Sequence, residues 1–133
     1  MSKELNNEEI VKEYFFGCEI LFDSKEDEVT KESIISALEN YVYEDEYTVS
    51  KDILTINKVV KQYFDDEQTT FDFKLDDIRF IYKVSGNVLS IVTKDLSIYE
   101  IRFNSYHGIE YTWIEVSSID DFIRLLTEGE LDW

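Results

Sequence analysis

Histidine, cysteine and methionine occur once each in 133 residues, glycine occurs four times, and proline does not occur at all. The lone Cys18 excludes an internal disulfide framework. The lone His107 excludes a His-rich metal site, and any His-paired nucleophile would have to use it. There is no Gly-rich loop to cradle phosphate and no EF-hand ligand series. Basic residues are also scarce: 13 Lys+Arg face 30 Asp+Glu, for a net charge of −17. Nucleic acid and anionic membrane would repel such a chain, so neither is expected as a direct partner. The longest apolar stretch, Tyr14 to Phe22, is interrupted by Glu19 and is about half of a membrane span. Met1-Ser2-Lys3-Glu4-Leu5 lacks the basic-then-apolar pattern of a signal peptide. The expectation is a cytoplasmic protein.

What is present is apolar and aromatic. Hydrophobic residues make up 44% and aromatic residues 15% of the chain, enough to offset conformational entropy and exclude a disordered acidic tail. The length suits one domain, 1–133. Acids exceed bases throughout: nine against three over 1–28, nine against four over 29–67, and twelve against six over 68–133. The whole folded surface is therefore expected to be acidic, without a removable acidic arm.

Periodicity predicts an α+β fold. A first helix is capped by Asn7 and carries Ile10, Val11, Tyr14, Phe15, Cys18, Leu21 and Phe22 at helical spacing. Gly17 weakens its second half, where Cys18 to Phe22 is alternatively a short strand. Thr30 caps a second helix with Ile34, Ile35, Leu38, Tyr41 and Val42 on one face. Ser50 caps a third with Ile53, Ile56, Val60, Tyr63 and Phe64. The period then drops to 2, giving a meander of about five strands: around Phe71 to Leu75, Ile78 to Val84, Val88 to Thr93, Leu96 to Phe103 and Ile109 to Val116. Ser85-Gly86-Asn87 marks a hairpin turn. Ser118 and Asp121 form a capping box for a closing helix through Leu126. Helices on one side of an alternating antiparallel sheet complete the expected packing.

Charge placement singles out candidate partner-binding residues. Acids at a helix start are stabilising, which accounts for Glu26-Asp27-Glu28 and Asp120-Asp121. On this reading Glu44-Asp45-Glu46 and Asp65-Asp66-Glu67 instead follow helix ends, where they oppose the dipole, so recognition or solubility is expected to explain them. Tyr43 and Tyr47 flank the first triplet and add ring area and hydroxyls suited to Arg and Lys. The alternatives are a solvated loop for the acids and coverage of helix ends for the tyrosines. Trp113 is expected to pack in the core, and Trp133 is either docked or partner-facing. Lys58 with Lys61, and Arg79 with Lys83, read as solubilising pairs. His107 reads as part of a polar turn and Cys18 as buried and inert.

No enzymatic constellation emerges. Asp72-Phe73-Lys74 and Glu100-Ile101-Arg102 match the Asp-x-Lys end of metal-dependent nuclease sites only over three residues, which alternating strands supply by chance. No catalytic residue, metal or cofactor is expected. In size, charge and lack of catalytic motifs the chain resembles phage-encoded anti-CRISPR and anti-restriction proteins as a broad group. That resemblance covers no particular residues. It implies an acidic inhibitor of a basic protein, a nuclease or CRISPR effector, acting by charge mimicry. An immunity protein that neutralises a toxin and a generic acidic interaction module are the alternatives. Oligomeric state is not readable from the sequence.

Overall fold

A computed structural model describes residues 7–60, 68–106 and 109–120. Among them the helices are α1 (Asn7–Tyr14) and α2 (Lys31–Leu38). The strands are β1 (Glu19–Asp23), β2 (Tyr47–Val49), β3 (Ile53–Val60), β4 (Gln68–Lys74), β5 (Ile78–Ser85), β6 (Val88–Thr93), β7 (Ser97–Tyr106) and β8 (Ile109–Ser118). Single 3-10 turns, Glu44–Glu46 and Leu75–Asp77, lead into β2 and β5. The strands make one curled, half-barrel sheet, so the fold is mainly β. This corrects the expected α+β order of three N-terminal helices, a meander of about five strands and a C-terminal helix. From residue 121 on, that closing helix lies outside the described residues.

Two misread segments account for most of the difference. Gly17, at φ +87°, takes a left-handed conformation open to glycine and ends the first helical stripe; the chain emerges as β1, the alternative reading of Cys18 to Phe22. The expected third helix is β3. Its Ile, Thr and Val residues suit a strand, and a bulge between Ile56 and Val59, with Lys58 at φ +60°, breaks the alternation. Leu54, Ile56 and Val59 are buried, and of these only Ile56 belongs to the expected helical stripe. Ser50 closes the β2–β3 turn instead of capping a helix. Its hydroxyl accepts the Ile53 amide at 3.2 Å, the same local acceptor role a cap plays.

Thr30 does cap α2. Its Oγ1 accepts the Ser33 amide at 3.2 Å, and Ser33 Oγ accepts the Thr30 amide at 3.0 Å. The β5–β6 hairpin, β6 and the start of β8 also fall where the period-2 pattern puts them. Hydrogen-bonded neighbours run β1-β5-β6-β7-β8-β3. The β3–β8 pair is parallel, through Val59 and Thr112. Along β3, β4 takes one edge, and β2 and β8 share the other. Curling lays Phe73 of β4 edge-on to Tyr99 of β7, with centroids 5.0 Å apart.

The core lies on both faces, not one. On the inner face, Ile34, Ala37 and Leu38 of α2 meet Leu54, Phe73, Ile81, Ile91 and Ile101. On the other, Val11 of α1 and Phe15 just after it meet Phe80, Tyr82, Val92 and Ile98. Phe15 stacks on Tyr82 with centroids 4.3 Å apart. β5 is thus covered on both sides, which explains why Arg79, expected on the surface, is only 4% exposed. Its guanidinium donates to Glu8 of α1 at 2.8 Å and to Asp23 of β1, and lies 3.9 Å from the centre of the Phe80 ring. Lys25 adds a second bridge to Glu8 at 2.8 Å.

Two stability effects follow. Hydrogen bonds from Arg79 and Lys25 hold the Glu8 carboxyl down to about 2, against an ordinary 4.5. Because the folded value is depressed, this stabilisation is present above pH 4.5 and is lost as pH falls toward 2. Urea midpoints measured across that range should fall less steeply for Glu8→Gln than for the native chain, and lie lower at neutral pH. Tyr82 behaves oppositely. Burial, reinforced by the Asp23 charge, pushes its phenol up to about 12, and the buried hydroxyl has no hydrogen-bond partner among the described residues. Tyr82→Phe should therefore leave the unfolding free energy unchanged or raise it by about 1 kcal/mol; a clear loss in denaturant titration would show that the hydroxyl is satisfied.

Candidate anionic interface

The predicted site residues lie on the connection between α2 and β2. Glu44, Asp45 and Glu46 are the 3-10 turn itself. Glu44 and Asp45 are exposed; Glu46 is only 4% exposed. Asp45 receives Lys58 at 3.1 Å, and its carbonyl accepts from the Asn57 side chain at 3.2 Å. Tyr43 is 75% exposed, whereas Tyr47 packs against the inner core. Burial raises the Tyr47 phenol, helped by the charges of Glu39 and Glu44. Asp65, Asp66 and Glu67 lie outside the described residues. The described part of the helix expected before them is the strand β3, which corrects the helix on which their dipole argument rested.

Next to this turn, Tyr41 donates its hydroxyl to Glu19 at 2.9 Å, and Lys83 lies 4.5 Å from the centre of its ring. Tyr41, Val42, Tyr43 and Glu46 form one wall of a shallow cleft of about 220 Å³. Gly86 and Asn87 of the β5–β6 turn, with Phe103 and Asn104 of β7, form the other.

The opposite end of the sheet, where β1 and β6 finish and β5 and β7 begin, gathers acids that the sequence reading explained separately or left aside. Backbone hydrogen bonds stitch its loops together. Leu75 N–H donates to the Asp52 carbonyl at 2.9 Å, Lys94 N–H to that of Asp77 at 2.8 Å, Ile119 N–H to that of Leu96 at 3.2 Å, and Ser24 N–H to that of Arg79 at 3.0 Å. The exposed side chains of Glu26, Asp27, Glu28, Asp52, Asp76, Asp77, Asp95 and Asp120 therefore share one rim. Lys25, Lys51, Lys74 and Lys94 stand among them, with Lys25 engaged by Glu8. Two of the acids hold their own loops. Asp27 accepts the Asp23 amide at 3.0 Å, and Asp95 accepts the Thr93 hydroxyl and the Ser97 amide. Those bonds, the Thr93 hydroxyl first, lower the Asp95 carboxyl below its ordinary value. The runs Glu26-Asp27-Glu28 and Asp76-Asp77 were visible in the sequence. Their meeting with Asp52 and Asp95 depends on pairings between distant strands.

The remaining candidates are placed as follows. Asp72 accepts the Thr55 hydroxyl at 2.8 Å, and Glu100 bridges Arg102 at 2.7 Å. Trp113, expected in the core, is half-buried, and its indole N–H donates to Glu115 at 3.3 Å. Cys18 is half-buried against the outer core. His107 and Trp133 lie outside the described residues. Among the described residues no three Asp, Glu, Cys or His converge as metal ligands, and no helix is long and apolar enough to cross a membrane. Among the described residues the rim carboxylates do not gather at one point.

No known protein family, curated protein or solved structure matches this chain.

The excess of exposed carboxylates over lysines on the rim predicts a salt-sensitive stability. Replacing Asp52, Asp76 and Asp77 together by Asn should raise Tm by about 2–4 °C at low salt, with the gain vanishing near 1 M salt, where the screening length is about 3 Å. Scanning calorimetry at the two salt concentrations checks this.

Proposed function

We propose that this chain is a non-enzymatic inhibitor that binds a basic, nucleic-acid-handling protein, a nuclease or CRISPR effector, and occludes its nucleic-acid-binding surface. The observation that carries the reading is the rim: exposed carboxylates from several sequence-distant loops, fixed by backbone hydrogen bonds at one end of the sheet. Held this way, they face Lys and Arg as phosphates do and lose little freedom on binding. Consumption of cations inside the molecule adds support. Arg79 is buried between Glu8 and Asp23, and Lys58, Lys25 and Arg102 are bridged to carboxylates. The net charge of −17 is left to steer a basic partner, at a rate that falls with salt.

Immobilised protein should retain from a bacterial lysate, at about 50 mM salt, a basic nucleic-acid-binding protein that duplex DNA displaces. The variant carrying Glu26→Lys, Glu28→Lys, Asp52→Lys, Asp76→Lys and Asp77→Lys should lose that retention while keeping its circular dichroism spectrum and melting at the same or a higher temperature. Equal retention by the variant, or a captured protein indifferent to DNA, would overturn the reading.

A further inference from the structure

A strand at the margin of a sheet presents a row of unpaired backbone N–H and C=O groups, which folded proteins usually blunt. Among the described residues β1, β2 and β4 each have a ladder partner on one side alone. β1 is closed over its second half by its own loop. There the Asp27 carboxylate accepts the Asp23 amide at 3.0 Å, and the Asp23 carbonyl accepts the amides of Glu26 and Asp27 at 3.0 and 2.8 Å. β2 is only three residues long. β4 has no such protection. It runs for seven residues, Gln68 to Lys74, and the bulge in its ladder lies in β3, so β4 itself is unbroken. It has no glycine, its Thr and Phe residues favour a strand, and Asp72 and Lys74 are its only charges. A chain of net charge −17 thus leaves open an edge that is itself neutral.

Alternation decides which backbone groups of β4 point outward. Leu75 N–H donates to the Asp52 carbonyl, which makes Leu54–Phe73 and Ile56–Phe71 the hydrogen-bonded pairs of the β3–β4 ladder. The N–H and C=O groups of Thr70, Asp72 and Lys74 therefore point away from β3, and these three residues are exposed. We infer that a second copy of this chain pairs with this edge, β4 against β4, antiparallel about a two-fold axis at Phe71. This register uses the whole strand, with Gln68 opposite Lys74, and sets outward-pointing residues against outward-pointing residues. Thr70 stands opposite Asp72 of the second copy on both sides of the axis, and no like charges meet. Half-buried Phe71 meets its own copy at the axis, in the pair type that brings side chains closest. An axis at Asp72 would set two carboxylates face to face, and one at Phe73 would run the pairing into the Leu75–Asp77 turn. A basic segment would gain nothing from an edge without net charge. The two Lys74 positions, from which each copy's rim continues, lie about 20 Å apart, roughly twice the screening length at 0.1 M salt. The dimer goes beyond the function proposed above and does not rest on it.

Sedimentation equilibrium of the full chain tests the pairing. An edge of this length buries less than the roughly 1,200 Å² at the low end of specific interfaces, so a dimer half-formed near about 100 µM is expected. It should tighten several-fold between about 50 mM and 500 mM salt, as repulsion between the two acidic bodies is screened. Thr70→Pro removes an outward N–H that β3 does not use, and should weaken the dimer at least about tenfold with circular dichroism unchanged. Thr70→Asp, which needs no backbone change if the proline variant folds poorly, places like charges opposite Asp72 and should weaken it about tenfold. Thr70→Lys should tighten it, and the same two charges at exposed Ser36 of α2 should have far smaller effects. Nitroxide labels on Lys74→Cys, in a Cys18→Ser background, should report an intermolecular distance of about 20–25 Å. A chain still monomeric at about 500 µM in both salts, a dimer indifferent to Thr70→Pro and Thr70→Asp, or labels within about 10 Å of each other would overturn the inference.

Discussion

The buried guanidinium of Arg79 is the constraint around which the outer half of the molecule is organised. β5 is covered on both faces, so the cation it carries is cut off from water, a state that costs several kcal/mol unless carboxylates and hydrogen bonds offset it. Glu8 and Asp23 provide them from two other elements, α1 and β1, while the Phe80 ring lies against the cation. Breaking either contact would leave a buried charge under-compensated, so the pairing ties α1 and β1 to β5 alongside the packing of Val11 and the β1–β5 ladder.

That arrangement bears on the surface as well. The Arg79 cluster anchors the chain at the end of β1, where the Ser24 amide, just before the Glu26–Glu28 loop, donates to the Arg79 carbonyl at the start of β5. Once the loops are placed, their acids have nowhere to go but outward, and the rim results. Curling of the sheet produces the other end. It brings the α2–β2 connection near the β5–β6 turn and leaves a narrow cleft between them, with a deeply placed carboxylate at its wall. The two ends differ chemically: one is a dispersed array of exposed charge, the other a small ring-and-amide recess.

Reading the sequence succeeded where one local signal was enough. The Thr30 cap, the hairpin at Ser85-Gly86-Asn87 and the strand Val88 to Thr93 each follow from a few adjacent residues. It failed where a signal had two physical meanings. Ser50 accepts an amide three residues on, which a helix start and a tight turn both require. The bulge in β3 breaks the period-2 alternation that would have marked a strand. Arg79 looked like a surface charge because strand alternation assumes one wet face, and β5 has none from Ile78 to Tyr82. Of the predicted partner-facing residues, Glu44, Asp45 and Tyr43 are exposed, Glu46 and Tyr47 are drawn inward, and the second triplet lies outside the described residues.

Composition alone determined the net charge, the absence of a disulfide framework and of a His-rich or Gly-rich site, and the presence of enough apolar surface for a core, because these depend on which residues are there and not on where they lie. Tertiary structure decided which acids are neighbours, which cations are consumed internally and which face of each strand is wet. Those outcomes depend on pairing between segments far apart in the chain, such as Asp52 with Leu75 or Glu8 with Arg79, and local periodicity holds no information about such pairings.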